Sequence, residues 1–222
     1  MQFAGVRMTS HLDRAILRIK KEILSLGAMV EDRFKRSVTA VQAEDLEQAQ
    51  FIIDTDYKVD EREIEIEEEC LKVLALYQPV ATDLRLIVAV IKINNDLERI
   101  ADYAVNIAKR YKTSAGNPNK FKYDYTAMGD LAAKMMKMSL DALVSMDVDM
   151  AYEVREMDKQ VNLMRNDAYG IMKGDIQNNP EMVEEIINMY LISRHIERVG
   201  DHTTNIAEEV IYLIEGEIIR HT

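Results

Sequence analysis

The sequence predicts an all-α protein: a tandem repeat of two three-helix bundles, six long helices in all. Three observations predict it. Apolar residues recur at steps of three and four over stretches much longer than a strand, the mark of amphipathic helices. Only eight Gly and three Pro occur in 222 residues, while Met, Ala, Leu, Ile, Glu and Lys dominate, a balance that favours helices over a sheet sandwich. Finally, the run Glu98-Arg99-Ile100-Ala101-Asp102 returns as Glu197-Arg198-Val199-Gly200-Asp201, each copy followed by Asn-Ile-Ala at the same distance.

The first helix is expected after Thr9 and Ser10. Its seam is Leu12, Ile16, Ile19, Ile23, Leu26, Val30, Phe34, Val38 and Val41, and Ser10 and Asp13 stand in capping-box spacing. Near Ala43-Glu44-Asp45 the pattern breaks, and Asp45 is suited to cap a second helix. The seam of that helix, Ile52, Asp56, Val59, Glu63, Ile66, Cys70, Val73 and Tyr77, carries acids at two core-facing positions. Acids on a seam are costly unless paired or metal-bound. Gln78-Pro79 ends this helix, and Thr82 or Asp83 is placed to start a third at Leu84, running to about Tyr111 with Ile87, Ile91, Leu97, Ile100, Ala104 and Ile107 inward. Residues 113–120 are rich in turn formers and form the one clear linker.

After the linker the same plan repeats. Ser37 lies over Ser139, Asp45 over Asp147 and Asp56 over Asp158 at one constant offset, which shortens slightly by the Glu-Arg pattern, near the turns at Pro79 and Pro180. The expected division is therefore residues 1–112, a linker 113–120, and residues 121–222, each half a helical hairpin plus a third helix that buries its own core.

Composition excludes some function classes. A net charge of −11 argues against a nucleic-acid surface, which needs a concentrated basic face. The lone Cys70 closes no internal disulfide, sits among apolar residues and reads as a small core hydrophobe of an intracellular protein. No secretory signal is visible, and the longest uncharged apolar run, 86–91, is far short of a bilayer span. A soluble cytoplasmic protein is expected.

Within each copy of the repeated pattern Glu, Asp and Asn sit at i, i+4 and i+8: Glu98, Asp102, Asn106 and Glu197, Asp201, Asn205. Residues four apart on a helix are surface neighbours, with Cβ atoms about 5–6 Å apart, so each copy makes an oxygen-rich stripe. The combination of these two copies with the Asp56-x-x-x-Asp60 spacing, the stretch Leu76-Tyr77-Gln78-Pro79-Val80-Ala81-Thr82-Asp83-Leu84-Arg85 and the duplicated layout resembles the PhoU family of phosphate-transport regulators, over nearly the whole chain. The resemblance implies two three-helix bundles. It also implies action with the ATPase subunit of the high-affinity phosphate transporter and with the phosphate-sensing histidine kinase, as a negative regulator when phosphate is plentiful. It further implies a homodimer that reaches membrane complexes only through its partners. Some members bind metal ions or small clusters through acidic motifs of this type.

The residues themselves allow that chemistry. Asp56 and Asp60 form one pair and Glu98 and Asp102 another on the neighbouring helix; four converging carboxylates repel one another, and a cation relieves the repulsion. The matched positions in the second half are Asp158, Asn162, Glu197 and Asp201. Oxygen ligands suit divalent or trivalent ions such as Mg, Ca, Mn or iron, and Zn is the least favoured because it prefers Cys and His. With four carboxylates against three and an amide, the first site is expected to bind a hard cation more tightly. A second reading stands beside this one: both stripes are solvated faces, with Arg99 and Arg198 pairing to nearby acids. Asn106 and Asn205 are either ligands or hydrogen-bonding partners of an adjacent helix, and His202 reads better as a rim residue than as a ligand. The acidic run 61–69 is a solvated face or a docking surface for a basic partner, and the fourteen methionines are mostly core filler.

Catalysis is not expected. A carboxylate-bridged di-iron oxidase needs Glu-x-x-His on two helices, and none occurs; nor is there a nucleophile elbow or a phosphate-cradling Gly-rich loop. A generic helical scaffold is the other non-enzymatic reading.

Overall fold

The computed structural model describes residues 3–115 and 121–216, and the side chains from residue 11 onward. Part of the linker, 116–120, lies outside the described residues. The chain runs as α1 (Phe3–Ala43), α2 (Leu46–Asp54), α3 (Tyr57–Tyr77), α4 (Ala81–Ser114), α5 (Thr126–Ser145), α6 (Val148–Asn178), a short 3-10 turn (Pro180–Met182) and α7 (Val183–Glu215). No strand is present among the described residues. The all-α duplicated plan of six long helices is borne out, with the second helix divided into α2 and α3.

Local sequence rules account for most boundaries. Asp45 accepts a hydrogen bond from the Gln48 amide at 2.9 Å and Asp147 one from the Met150 amide at 3.0 Å, so the matched residues cap matched helices. Gln78 closes α3 in the left-handed region at φ 46° ahead of Pro79, which cannot continue the helix. Three expectations need correction. First, α1 begins at Phe3 and passes through Ser10, because nothing upstream breaks the helical pattern and the capping-box spacing is overridden. Second, α4 begins at Ala81 after an extended Val80, and continues to Ser114, so Thr113 and Ser114 belong to the helix and not to the linker. Third, the seam from Asp45 to Tyr77 is broken at Thr55–Asp56.

In the first half α1 packs on α2, α3 and α4, and in the second α5, α6 and α7 pack on one another. The halves meet chiefly where α4 lies against α7, and also where α1 crosses α5. Polar contacts show α4 and α7 to be antiparallel: Lys92 meets Glu209, Asp96 meets His202, and Arg110 meets Asn188, one number rising as the other falls. Most of the predicted seam residues are core, with Leu12, Ile16, Tyr77 and Ile91 partly buried at its edge. Ile19, Ile23, Leu26, Val30, Phe34, Val59, Ile66, Cys70, Leu97, Ile100 and Ile107 are all buried, and the cluster continues across the seam into Ile192, Ile196, Val199 and Ile206. Met135, Met136 and Met157 fill it as expected, whereas Met146 is on the surface. Burial pushes the Cys70 thiol up to about 12, which makes it inert at neutral pH.

The α1–α5 crossing depends on small residues. A Cβ on Gly27 would fall 2.5 Å from Leu140 Cδ1, and one on Gly129 would fall 2.9 Å from Val38 Cγ1. In contrast, a Cβ on Gly170 or Gly174 of α6 would meet nothing within 4 Å. Leu97→Ala is expected to destabilise the protein by about 2–5 kcal/mol in denaturant unfolding, because a fully buried side chain leaves a cavity. Gly170→Ala should stabilise it, by up to about 1 kcal/mol, since an exposed helical glycine adds only backbone entropy. A loss below about 0.5 kcal/mol for Leu97→Ala would show that α4 does not present this face to the core.

Candidate functional site

The first acidic cluster assembles from the N-terminal turn of α3 and the middle of α4. Asp56 stands at the break before α3 with ordinary helical backbone and no side-chain cap, Asp60 is exposed one turn on, and Glu98 and Asp102 lie on α4 opposite. The carboxyl group of Asp56 is raised above the usual range first by burial, against the opposing pull of Arg33, with Asp60 and Asp102 adding to the rise. Glu98 is likewise raised by burial and then by Asp102, Asp60 and Glu63, with Arg99 opposing. The four predicted acids thus feel one another. Asn106 lies half-buried one turn beyond Asp102.

Two arginines temper this cluster. Arg99 on the same helix reaches Asp102 at 3.4 Å and stands 3.6 Å from Glu98 Oε2, as the solvated-face reading expected. Arg33, from α1, was not singled out by the sequence reading. It donates to Asp56 Oδ1 at 3.1 Å, to Thr55 Oγ1 at 2.8 Å and to the carbonyls of Ile52 and Thr55 at 2.6 and 3.2 Å. Its position among the α1 seam residues Val30 and Phe34 was the available signal. Glu63 also belongs here: its carbonyl and carboxylate both accept from the buried Asn94 amide, at 2.9 and 3.2 Å.

The second cluster is built by α6 and α7. Asn162 donates to Asp158 Oδ2 at 2.8 Å, while Asp158 Oδ1 is buried and accepts no hydrogen bond. Burial and the nearby Asp201 push Asp158 up to about 6. Asp201 is also raised, by burial and then by Glu197, against Arg198. Glu197 is held by two bonds from Arg165, at 2.9 and 3.2 Å, and Asp201 accepts from Arg198 at 3.0 Å. A Cβ on Gly200 would stand 3.1 Å from Asp158 Oδ1, so this glycine lets the carboxylate approach the α7 backbone. The first half has Ala101 at that place.

Asn205 turns away from its stripe. It donates to Asp96 Oδ1 at 3.1 Å across the α4–α7 seam, and His202 Nδ1 meets the same oxygen at 2.8 Å. Of the two roles open to Asn205, the structure shows the bond to an adjacent helix. His202 is a seam residue, its ring 5.6 Å from that of Tyr103. Beside them opens a cleft of about 580 Å³ lined by Glu63, Glu67, Lys92, Asp96, Asn205 and Glu208.

As the side chains stand, no three acidic, His or Cys groups among the described residues are grouped to hold a cation. The donor set nevertheless fits one. Glu98 Oε2 and Asp158 Oδ1 are buried acceptors without a hydrogen bond, and Asp56, Glu98, Asp158 and Asp201 are all held above their ordinary carboxylate range. Oxygen acceptors left short of donors are relieved by a hard cation once side chains rotate toward a common point.

The raised Asp158 makes a pH prediction. In the unfolded chain the group titrates near 4; folded, it titrates at about 6. Between those values the native state holds the extra proton, so this group favours the native state at low pH and the benefit is lost as pH rises through about 6. Asp158→Asn, which keeps an acceptor for Asn162, should raise Tm at pH 7.5 and change it little at pH 4. An equal or lower Tm at pH 7.5 would contradict the buried, under-paired carboxylate.

The PhoU domain family model matches this chain twice, over residues 23–111 and 125–210, one match in each half. A phosphate-specific transport system accessory protein PhoU homolog of Pseudomonas putida is 33% identical over 205 residues, covering 91% of this chain and 80% of that protein. The crystal structure of PhoU from Pseudomonas aeruginosa superposes with a TM-score of 0.88 at 32% identity, over 92% of this chain and 99% of that one. The phosphate transport system regulatory protein PhoU from Streptococcus pneumoniae superposes with a TM-score of 0.85 at 26% identity, over 94% and 99%. The duplicated helical frame, the paired acidic stripes and these matches agree: the chain belongs to the PhoU family.

Proposed function

We propose that this protein regulates phosphate uptake and phosphate-starvation signalling as a non-catalytic adaptor between the ATPase subunit of a phosphate transporter and a phosphate-sensing histidine kinase, repressing the response when phosphate is plentiful. The observation that carries this reading is the family match in both halves, together with relatives named as accessory or regulatory proteins of phosphate transport. The protein acts from the cytoplasm as a homodimer and reaches the membrane through its partners; among the described residues no helix is long and apolar enough to cross a bilayer. Its two halves, divided at the linker, each supply one bundle, and they do not bury separate cores as expected: they share one core along α4 and α7.

In this reading the acidic clusters are cation sites. Asp56, Asp60, Glu98 and Asp102 would hold a hard divalent or trivalent cation in the first half, with Asn106 nearby, and Asp158, Asn162, Glu197 and Asp201 a second, Asn205 joining only if it leaves Asp96. Such a cation supplies positive charge that relieves carboxylate repulsion and ties each third helix to the helix before it. The residues themselves set ligand geometry and exclude water on their buried side.

Two measurements test this. The tagged protein should capture the ATPase subunit or the kinase from membrane extracts, in amounts that change with phosphate; capture of neither with or without phosphate would sink the adaptor reading. Titration with Mn²⁺ should show two unequal classes of site, the tighter one abolished by Glu98→Ala with Asp102→Ala. Loss of the tight class with Glu197→Ala and Asp201→Ala instead would reverse the order of the sites.

A further inference from the structure

The two halves differ where their second helices pass the acidic cluster. In the second half α6 is continuous from Val148 to Asn178. In the first half the same stretch is divided into α2 and α3 at Thr55–Asp56. By the repeat, Arg33 of α1 corresponds to Met135 of α5, and Thr55 to Met157; both methionines are buried. Where the second half packs two thioethers, the first therefore inserts a guanidinium against a helix end. Arg33 is 7% exposed; it satisfies the Ile52 carbonyl in the last turn of α2 and shares the Thr55 carbonyl with the Lys58 amide. Its remaining reach goes to Asp56 Oδ1, one of the four acids of the first cluster. The only charge-neutralising contact of Asp56 shorter than 4 Å among the described residues is this one.

We propose that Arg33 is the built-in counter-cation of the first acidic cluster and competes with an external divalent cation for Asp56. The proposal rests on the cation-site reading above and adds to it a residue outside the acidic motifs. Fixed positive charge beside a ligand opposes a metal ion twice, by repelling it and by occupying the lone pairs it needs. Arg165 plays a weaker part in the second half, since it holds Glu197 from a more exposed position, its side chain 29% accessible against 9% for Arg33. Release of Asp56 by Arg33 also loosens the joint between α2 and α3, so that occupancy of the first cluster is read out in the first half alone.

The test uses the full chain carrying Glu197→Ala and Asp201→Ala, so that Mn²⁺ binding, followed by electron paramagnetic resonance and calorimetry, reports the first cluster only. Arg33→Met, which copies the second half, should tighten Mn²⁺ binding about tenfold, the scale of removing one nearby unit charge. Arg33→Lys, which keeps the charge, should tighten it much less, and in an Asp56→Asn background Arg33→Met should have almost no effect. Unchanged or weaker binding by a folded Arg33→Met protein overturns the proposal and makes Arg33 a purely structural clamp. Should that variant fail to fold, the wild-type chain decides: saturating Mg²⁺ must shift the Arg33 guanidinium resonances and speed exchange of its N–H protons, and resonances that stay put overturn the proposal. Absence of Mn²⁺ binding in the wild type and in every variant refutes the cation-site reading itself and this proposal with it.

Discussion

α4 and α7 each bury apolar residues over more than one face, and no single neighbour within a half can cover them. α4 buries Ile87, Val90, Ile93, Leu97, Ile100, Ala104 and Ile107, and α7 buries Ile192, Ile196, Val199, Ile206 and Val210. Packing these two helices against each other covers what α1, α3, α5 and α6 leave open, and it makes one core of the two halves. The polar contacts along the seam fix its register. Glu209 is almost fully buried and is held by Lys92 at 3.0 Å, a pairing that a slip of one turn would break. With the seam set, Glu98 must face α3 and Glu197 must face α6, because the sides turned toward the partner helix are already occupied by the core. Each stripe is thereby delivered to its own half's second helix.

That placement has an electrostatic cost, and the chain meets it unevenly. Arg99 and Arg198 pair with acids on their own helix at mostly exposed positions, where such pairs contribute roughly 0–1 kcal/mol each. The buried contacts matter more. Arg33 and Arg165 come from other turns or other helices and hold Asp56 and Glu197 where water is scarce. Glu98 Oε2, with Arg99 3.6 Å away, and Asp158 Oδ1 remain buried without a hydrogen-bond donor. A protein selected for stability alone would replace these groups with neutral ones. The two groups do not stand at matched places: Glu98 lies on the third helix of its half's plan, α4, and Asp158 on the second of the other, α6.

Much of this was legible in the sequence, and the pattern of what was not has a physical cause. The caps at Asp45 and Asp147 are set by a side chain bonding an amide three residues on, so a local rule finds them. The seams were legible because a 3.6-residue period over several turns has few alternative explanations. The stripes were legible because they occur twice at one spacing. The break at Thr55–Asp56 was hidden, since its stabilising group, Arg33, lies 22 residues before Thr55 and on another helix. The partner of Asn205 was hidden for the same reason: Asp96 is 109 positions away and belongs to the other half. In both cases local propensity fixes the helix, and tertiary contact decides what the polar side chain does.

The same distinction explains how two halves with one plan come to differ in mechanics. In α6 the residue preceding Asp158 is a buried methionine within an unbroken helix, so Asp158 can move only by changing its rotamer. Gly200 brings it within contact of the α7 backbone and leaves little room even for that. Asp56 instead follows a helix end at which Thr55 donates its own hydroxyl to the Phe51 carbonyl at 2.8 Å while accepting from Arg33 at the same distance. The joint itself is bridged by the Thr55 amide bonding the Phe51 carbonyl and by tighter i to i−3 bonds from Lys58 to Thr55 and from Val59 to Asp56. Asp56 is therefore carried by a helix joint, and Asp158 by a continuous helix. Duplication supplies two clusters of acids; one arginine in place of a methionine ties only the first of them to a break in the helix that carries it.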